Sequence, residues 1–460
     1  MSPTQQAERS AQAAIEAEFA DIKPALSPEH AAMEANRCLY CYDAPCAIAC
    51  PTHIDIPEFI RRIGSNNLEG SAEVILESNV LGASCARVCP TQELCEGACV
   101  MLHTDSPPID IGRLQRYATD YVMERNIHVL KSHASKNGKS VAVVGGGPAG
   151  ISAAAELSRY GYRVVVFEAQ AEAGGLNRYG IAPYKLTNEE ARAEIKYVQE
   201  MLGFEIRNGK RVGQDIPIAQ LDSEFDAIFL GLGMSSTRKL GVPGEDLQGV
   251  VGATEWIEEL RKRPLHEMPV GRKVVVVGAG NTAIDAATEA ARLGAEEVTI
   301  VYRRGKDGMP AYDFEYELAL KDRVRFLWHT EPVAVLGNDR ATGLRCLRTR
   351  PGDPDASGRA QPVAVAGSEF DIEADLVIKA TGQTNHATLY SQIQGLTMNG
   401  NKVKTNESFQ TGNPKYFSGG DSINGGKEVV NAVADGKLAA KAIHEFLSAV
   451  PGTGKSAMEA

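Results

Sequence analysis

No run of about 18 uncharged apolar residues occurs in this 460-residue chain, so no segment reads as a membrane-spanning helix. The opening residues, Met1-Ser2-Pro3-Thr4-Gln5-Gln6-Ala7-Glu8, lack the basic stretch and apolar core of a secretory signal. Runs of Lys and Arg are missing too: 48 bases stand against 59 acids, and the formal net charge of −11 leaves no basic footprint for nucleic acid. Thiols nearly vanish after Cys99, where Cys346 stands alone and reads as a small buried hydrophobe. These absences describe a cytoplasmic protein with neither membrane nor nucleic acid as partner. With 43% apolar and 23% charged residues, the rest is an ordinary globular composition. At roughly 100–200 residues per domain the chain has room for two or three.

What is abundant is cysteine at one end. Eight of nine lie between Cys38 and Cys99, which in a reducing compartment argues for metal binding rather than disulfides. One group is Cys38-x2-Cys41-x4-Cys46-x3-Cys50-Pro51; the other is Cys85-x3-Cys89-Pro90, then Cys95-x3-Cys99. Structural zinc usually takes paired Cys-x2-Cys arms, and only Cys38 and Cys41 form one. Three close cysteines and a further one before Pro resemble the bacterial ferredoxin run, in which the last thiolate serves the other cluster, so two 4Fe-4S clusters are expected. Spacing favours Cys85 as the eighth ligand.

Up to about residue 135, Pro57–Ile63, Ser71–Glu77 and Ile111–Glu124 have helical apolar spacing and no convincing strand appears. Lys131–Lys139 is polar and reads as a linker, and Pro451–Ala460 as a loose tail. Beyond the linker, strand, glycine turn, helix and strand follow one another twice, the pattern of a parallel α/β sheet. In the first unit Gly145, Gly147 and Gly150 fit G-x-G-x-x-G, and Glu168 ends the next strand. Such glycines let a pyrophosphate approach a helix N-terminus while the acid takes a ribose hydroxyl. The second unit has Gly278-Ala279-Gly280-Asn281-Thr282-Ala283, and its next strand ends in Tyr302-Arg303-Arg304. Two dinucleotide sites in one chain imply hydride exchange between a nicotinamide and a flavin.

Phe417-Ser418-Gly419-Gly420-Asp421, with a helix read over Lys427–Ala442, resembles the C-terminal FAD signature of the two-dinucleotide-binding flavoproteins. Their nicotinamide domain is inserted into the FAD domain, and Ala380-Thr381-Gly382 is similar to their return crossing. The expected fold is therefore α/β with an N-terminal all-α iron–sulfur domain and two Rossmann-type domains. The boundaries are residues 1–135 for the helical domain, 136–262 and 385–460 for FAD, and 263–384 for NAD(P).

The stretches Cys38-Leu39-Tyr40-Cys41-Tyr42-Asp43-Ala44-Pro45-Cys46, Cys50-Pro51-Thr52-His53-Ile54-Asp55-Ile56-Pro57 and Cys85-Ala86-Arg87-Val88-Cys89-Pro90-Thr91 resemble the N-terminal half of dihydropyrimidine dehydrogenase, from about residue 30 to 447. The likeness points to the separate NAD-dependent PreT-type subunit of the bacterial enzyme. It implies one cluster on Cys38, Cys41, Cys46 and Cys99, and another on Cys50, Cys89, Cys95 and the amide oxygen of Gln115, leaving Cys85 unligated. It also places Val88, Leu176 and Lys185 near FAD, with Lys185 where the fused enzyme has Arg. Asn281, Thr282, Arg303 and Arg304 would meet the nicotinamide dinucleotide. The two arginines are suited to a 2′-phosphate, to an adenosine pocket or to solvent, while Pro310 stands where the NADPH-dependent fused enzyme carries a further phosphate-binding Arg, so NAD(H) is expected, with NADP(H) as the alternative. The implied partner is an FMN-containing PreA-like iron–sulfur subunit, in a hetero-oligomer, that reduces uracil or thymine to the 5,6-dihydro form.

The competing reading within this architecture is the small subunit of glutamate synthase, where the resemblance puts Glu at the position of Gln115, or another NAD(P)H-dependent electron-input subunit. An FAD disulfide reductase needs a Cys pair beside its flavin, and none occurs after Cys99. A scaffold with two dead sites fits poorly with intact glycines, acids and cysteines.

Overall fold

The computed structural model describes residues 12–131, 135–354 and 358–449. The opening residues, the middle of the Lys131–Lys139 linker and the Pro451–Ala460 tail lie outside it. The chain forms two units. One contains Lys23–Arg178, Lys185–Met234 and Asn385–Ala460; the other contains Met1–Ile22, Tyr179–Tyr184 and Ser235–Thr384.

In the first of these, short helices at Pro28–Arg37, Pro45–Ala49, Ile56–Gly64, Leu68–Ser78, Gly82–Val88 and Ile111–Glu124 precede any strand among the described residues. Helices this short depend on satisfied ends. Ser27, Asp55, Asn67 and Asp110 each accept a backbone N–H three residues on, and Pro28, Pro45 and Pro57 occupy first-turn positions where no donor is missed. Ile54, Ile56, Phe59, Ile60, Ile75, Ile111 and Leu114 form the core between them.

A five-stranded parallel sheet follows, in the order Tyr416–Ser418, Ala227–Leu230, Ser140–Val144, Arg163–Phe167, Glu205–Arg207. Its central strands are buried on both faces, which is why they read as near-continuous Val rather than alternation. The helices Pro148–Arg159 and Val429–Ala449 pack against each other so closely that a Cβ on Gly436 would lie 2.2 Å from the Ala149 carbonyl oxygen. The last helix thus starts at Val429, two residues later than its sequence suggests, and runs to Ala449.

Residue 135 does not divide the packing. Ala72, Leu76, Leu81 and Val122 from the helical part share one buried cluster with Val141, Val143, Ile151 and Ile443. The helical segment and the first dinucleotide fold are one body because their apolar faces cover each other.

The second unit has its own parallel sheet, in the order Val250–Gly252, Leu376–Lys379, Lys273–Val277, Glu297–Val301, Arg325–Leu327. The edge strand Val250–Gly252 and the helix Ala253–Lys262, whose Trp256, Ile257 and Leu260 join the core of Val274 and Val276, move the start of the insertion from 263 back to Ser235. The two crossings run antiparallel: Ser235 N–H donates to the Thr384 carbonyl and Arg238 N–H to that of Gly382. Residues 12–22, assigned by sequence to the helical domain, also belong here. Phe19 is buried against Tyr184, ring centroids 6.2 Å apart, and Ile22 N–H bonds the Tyr184 carbonyl.

Candidate cofactor sites

The short helix Pro45–Ala49 divides the thiols between two cavities. Cys46, in its first turn, lines one with Cys38, Cys41 and Cys99. Cys50, the residue after its last turn, lines the other with Cys85, Cys89, Cys95 and Gln115. The two cavities are alike in size, and Ile56 stands in the wall of both. Among the described residues no three His, Cys, Asp or Glu side chains gather tightly enough for a single metal ion. Zinc needs its donors about 2.0–2.3 Å from one point, whereas an iron–sulfur cage spreads them around itself. The residues therefore fit 4Fe-4S groups.

Burial pushes the Cys46 thiol up to about 11, helped by Cys99, Cys38 and Cys41, and raises Cys38 as well. In the second cavity the hydrogen bond with Cys85, then burial, raises Cys89, and burial with the neighbouring Glu96 raises Cys95. Thiols crowded this way keep their protons until a cation replaces them. Gln115 is buried on the helix Ile111–Glu124 and donates its side-chain N–H to the Gly82 carbonyl at 2.7 Å. Cys85, also buried, precedes Cys89 by one turn of Gly82–Val88. Both candidates for the eighth ligand thus share one wall.

That wall is held from the dinucleotide fold. Glu194, on the helix Asn188–Leu202, accepts from Ala83 N–H at 2.7 Å, from Ser84 N–H at 3.1 Å and from the Ser84 hydroxyl. Its complete burial pushes the carboxyl up to about 7. Val430, the second residue of Val429–Ala449, lines the second cavity, while the first cavity is walled only by residues between Cys38 and Ile111. The second cavity is accordingly the one beside the dinucleotide fold.

At the first glycine turn Gly145 has φ +102°, and a Cβ on Gly150 would sit 1.9 Å from the Gly145 carbonyl oxygen, so the turn closes only without side chains. Gly147 caps the helix Pro148–Arg159. Glu168 is buried against this turn, accepting from Gly146 N–H at 2.8 Å and Gln170 N–H at 2.7 Å. Leu176 is exposed at the start of Leu176–Tyr179; Lys185 and Val88 are half-buried. Asp421 caps the C-terminal loop by accepting from Lys427 N–H, and burial raises its carboxyl.

In the second unit Gly278, at φ +128°, faces the Ala380 carbonyl, so Ala380 belongs to this glycine turn, while Thr381 donates to the Arg238 carbonyl and Gly382 lies in the crossing. Gly280 caps the helix Asn281–Arg292; Asn281 accepts from Tyr312 N–H, and Thr282 is exposed. Arg303 is exposed, 4.0 Å from Glu331, and Arg304 donates to the Ala360 carbonyl. Pro310 lies against Gly280.

Sequence reasoning missed several neighbours of these sites. Gly174 and Gly175, both at positive φ, bring Gly175 against Gly147; the paired glycines were a visible signal. Asp435 accepts from Gly420 N–H and Asn424, while Glu194 acts across the chain without a local motif, and Asn79 lines the second cavity.

Residues 15–127 match the family model described as dihydropyrimidine dehydrogenase domain II, 4Fe-4S cluster, and residues 139–436 match pyridine nucleotide-disulphide oxidoreductase. The chain is 37% identical to the glutamate synthase [NADPH] small chain of Halomonas elongata over 443 residues, 94% of this chain and 93% of that one. It is 36% identical to the NAD-dependent dihydropyrimidine dehydrogenase subunit PreT of Escherichia coli O157:H7 over 428 residues, 93% and 97% of the two chains. Among solved structures, Mycobacterium tuberculosis FprA in complex with NADPH shares the fold at TM-score 0.57 and 21% identity, over 67% of this chain and 85% of that one. No helix of the described residues is long and apolar enough to cross a membrane. The chain belongs to the pyridine nucleotide-disulphide oxidoreductase family, joined to a 4Fe-4S domain of the dihydropyrimidine dehydrogenase type, and is an NAD(P)-dependent iron–sulfur flavoprotein.

Proposed function

We propose that the chain is the electron-input subunit of a dihydropyrimidine dehydrogenase, working reversibly with an FMN-containing PreA-like partner that reduces uracil or thymine. When bound, the nicotinamide, flavin and clusters supply hydride and single-electron transfer. The residues supply place and potential. Gly145, Gly147, Gly150, Glu168, Gly420 and Asp421 would hold FAD, with Val88, Leu176 and Lys185 near it; Ala380, Thr381 and Gly382 would serve the crossing between the two dinucleotide sites. Gly278, Gly280, Asn281, Thr282, Arg303 and Arg304 would hold NAD(H); Pro310 beside Gly280 offers no charge for a 2′-phosphate.

Gln115 carries the reading. Its nitrogen is engaged by Gly82, so its amide oxygen is the atom left for the second cavity, where it would join Cys50, Cys89 and Cys95. The first cluster would sit on Cys38, Cys41, Cys46 and Cys99. A neutral amide in place of a thiolate makes that cluster less negative and moves its potential. The second reading, the small subunit of a glutamate synthase, rests on the 37% identity to such a chain. Purification with each candidate partner separates them: NADH oxidation that requires uracil or thymine supports the first, and oxidation that requires 2-oxoglutarate with glutamine replaces it by the second.

A further inference from the structure

Asn79 lines the second cavity and is completely buried. Its side-chain oxygen accepts from Leu81 N–H at 3.1 Å, and its backbone N–H bonds the Ile75 carbonyl at 2.8 Å, so the residue is fixed in place. The reversed amide would set a donor against the Leu81 N–H, so the hydrogen bond decides which end is nitrogen. That nitrogen, Nδ2, is buried and has no hydrogen-bond partner in the protein. A buried donor is rarely left unmatched. The other polar side chains in the wall are engaged: Thr91 donates its hydroxyl to Glu96, and Gln115 its amide to Gly82. With the Gln115 oxygen committed to iron, as in the reading above, what remains to receive a hydrogen bond is sulfur.

We propose that Asn79 donates an N–H···S hydrogen bond to the 4Fe-4S cluster of the second cavity, and that this bond raises that cluster's potential above its neighbour's. The extra electron of a reduced cluster makes its sulfurs better acceptors, so a donor stabilises the reduced form more than the oxidised one. The first cavity has no counterpart. Apart from its four thiols its wall is apolar, with Leu39, Ile56, Ile60 and Met101 among its members. The two clusters thus differ in the side-chain donors that face their sulfurs as well as in ligands, and both differences favour placing the electron on the cluster nearer the dinucleotide fold. The inference rests on 4Fe-4S occupancy of the second cavity and not on the identity of the electron-accepting partner.

The full chain, purified anaerobically, tests this in three forms. Asn79→Asp keeps an acceptor for Leu81 N–H and removes the donor; Asn79→Ala removes the donor without adding charge. Iron per FAD, EPR-monitored redox titration, and proton ENDOR in water and deuterium oxide are the readouts. Both variants are expected to keep about eight irons. In both, the second cluster's potential falls while the first holds, a roughly tenfold shift in electron sharing between them, or about 59 mV for one electron. The exchangeable proton coupling of the reduced second cluster disappears with the substitution. An unchanged potential in Asn79→Ala overturns the proposal, because a fall in Asn79→Asp alone is then an effect of charge. If Asn79→Ala does not hold its clusters, an exchangeable coupling that persists in Asn79→Asp overturns it equally. Iron missing from the unsubstituted chain removes the cluster assignment itself, a distinguishable failure.

Discussion

Gln115 and Cys85 occupy one wall of one cavity, and single substitutions distinguish them. If Gln115 is the ligand, Cys85→Ala keeps about eight irons per chain, while Gln115→Leu loses the second cluster or leaves it one iron short; iron analysis with EPR reads the difference, and the reverse pattern makes Cys85 the ligand. Glu194 gives a pH dependence. Its carboxyl is pushed by burial from 4.5 to about 7, so the stability contributed by its protonated form is complete below about pH 4.5 and is lost as pH rises through about 7. Relative to wild type, Glu194→Gln is therefore expected to be more stable at about pH 8 than at about pH 5, by up to roughly 3 kcal/mol; thermal unfolding of the holoprotein at the two pH values measures it. Glu194 was not legible in the sequence because it acts through partners that only folding supplies: Ala83 and Ser84 lie over a hundred positions away. Asn79 was not legible because its own hydrogen bonds, with Leu81 and Ile75, are local, and only folding brings it into the cavity of Cys89 and Gln115. The cysteines were legible because their spacing is itself the geometry, though Gln115 came from resemblance and not from spacing.

At the level of elements, each glycine turn joins a strand to a helix that must approach it without side chains. Gly150→Ala places a Cβ 1.9 Å from the Gly145 carbonyl oxygen, and Gly278→Ala places one 2.3 Å from that of Ala380. The first variant is expected to purify depleted of FAD, and the second to retain FAD yet lose its reduction by NADH, as absorbance spectra with and without NADH would show. Both turns were visible in the sequence because strand, glycines and helix are contiguous there. Boundaries were less visible. Val250–Gly252 is too short to announce itself as an edge strand, so the insertion seemed to begin at 263 rather than Ser235. Phe19, assigned by sequence to the leading helical segment, is instead buried in the core of the second unit. The change from helices to strands near residue 135 was real as composition, yet no break in packing accompanies it, because Leu76 and Val122 share a core with the first sheet.

For the molecule as a whole, the preferred nicotinamide follows from charge. Arg303 is exposed and faces Glu331, Arg304 is engaged by the Ala360 carbonyl, and Pro310 occupies the edge of the glycine turn. With Pro310 and not a cation at that edge, one charge-assisted contact of about 1.5–3 kcal/mol to a 2′-phosphate is forgone, and the protein is expected to reduce an artificial acceptor with kcat/KM roughly tenfold or more higher for NADH than for NADPH; the opposite preference would mean that the two arginines do grip the phosphate. One cavity lies beside the first dinucleotide fold, and the other is walled by the helical part alone. The most direct measurement is NADH oxidation by the chain purified anaerobically with a PreA-like partner, with and without uracil. Oxidation that needs both chains and uracil, with dihydrouracil formed in equal amount, is the predicted result; flavin reduction by NADH with no response to uracil or thymine would contradict the pyrimidine assignment.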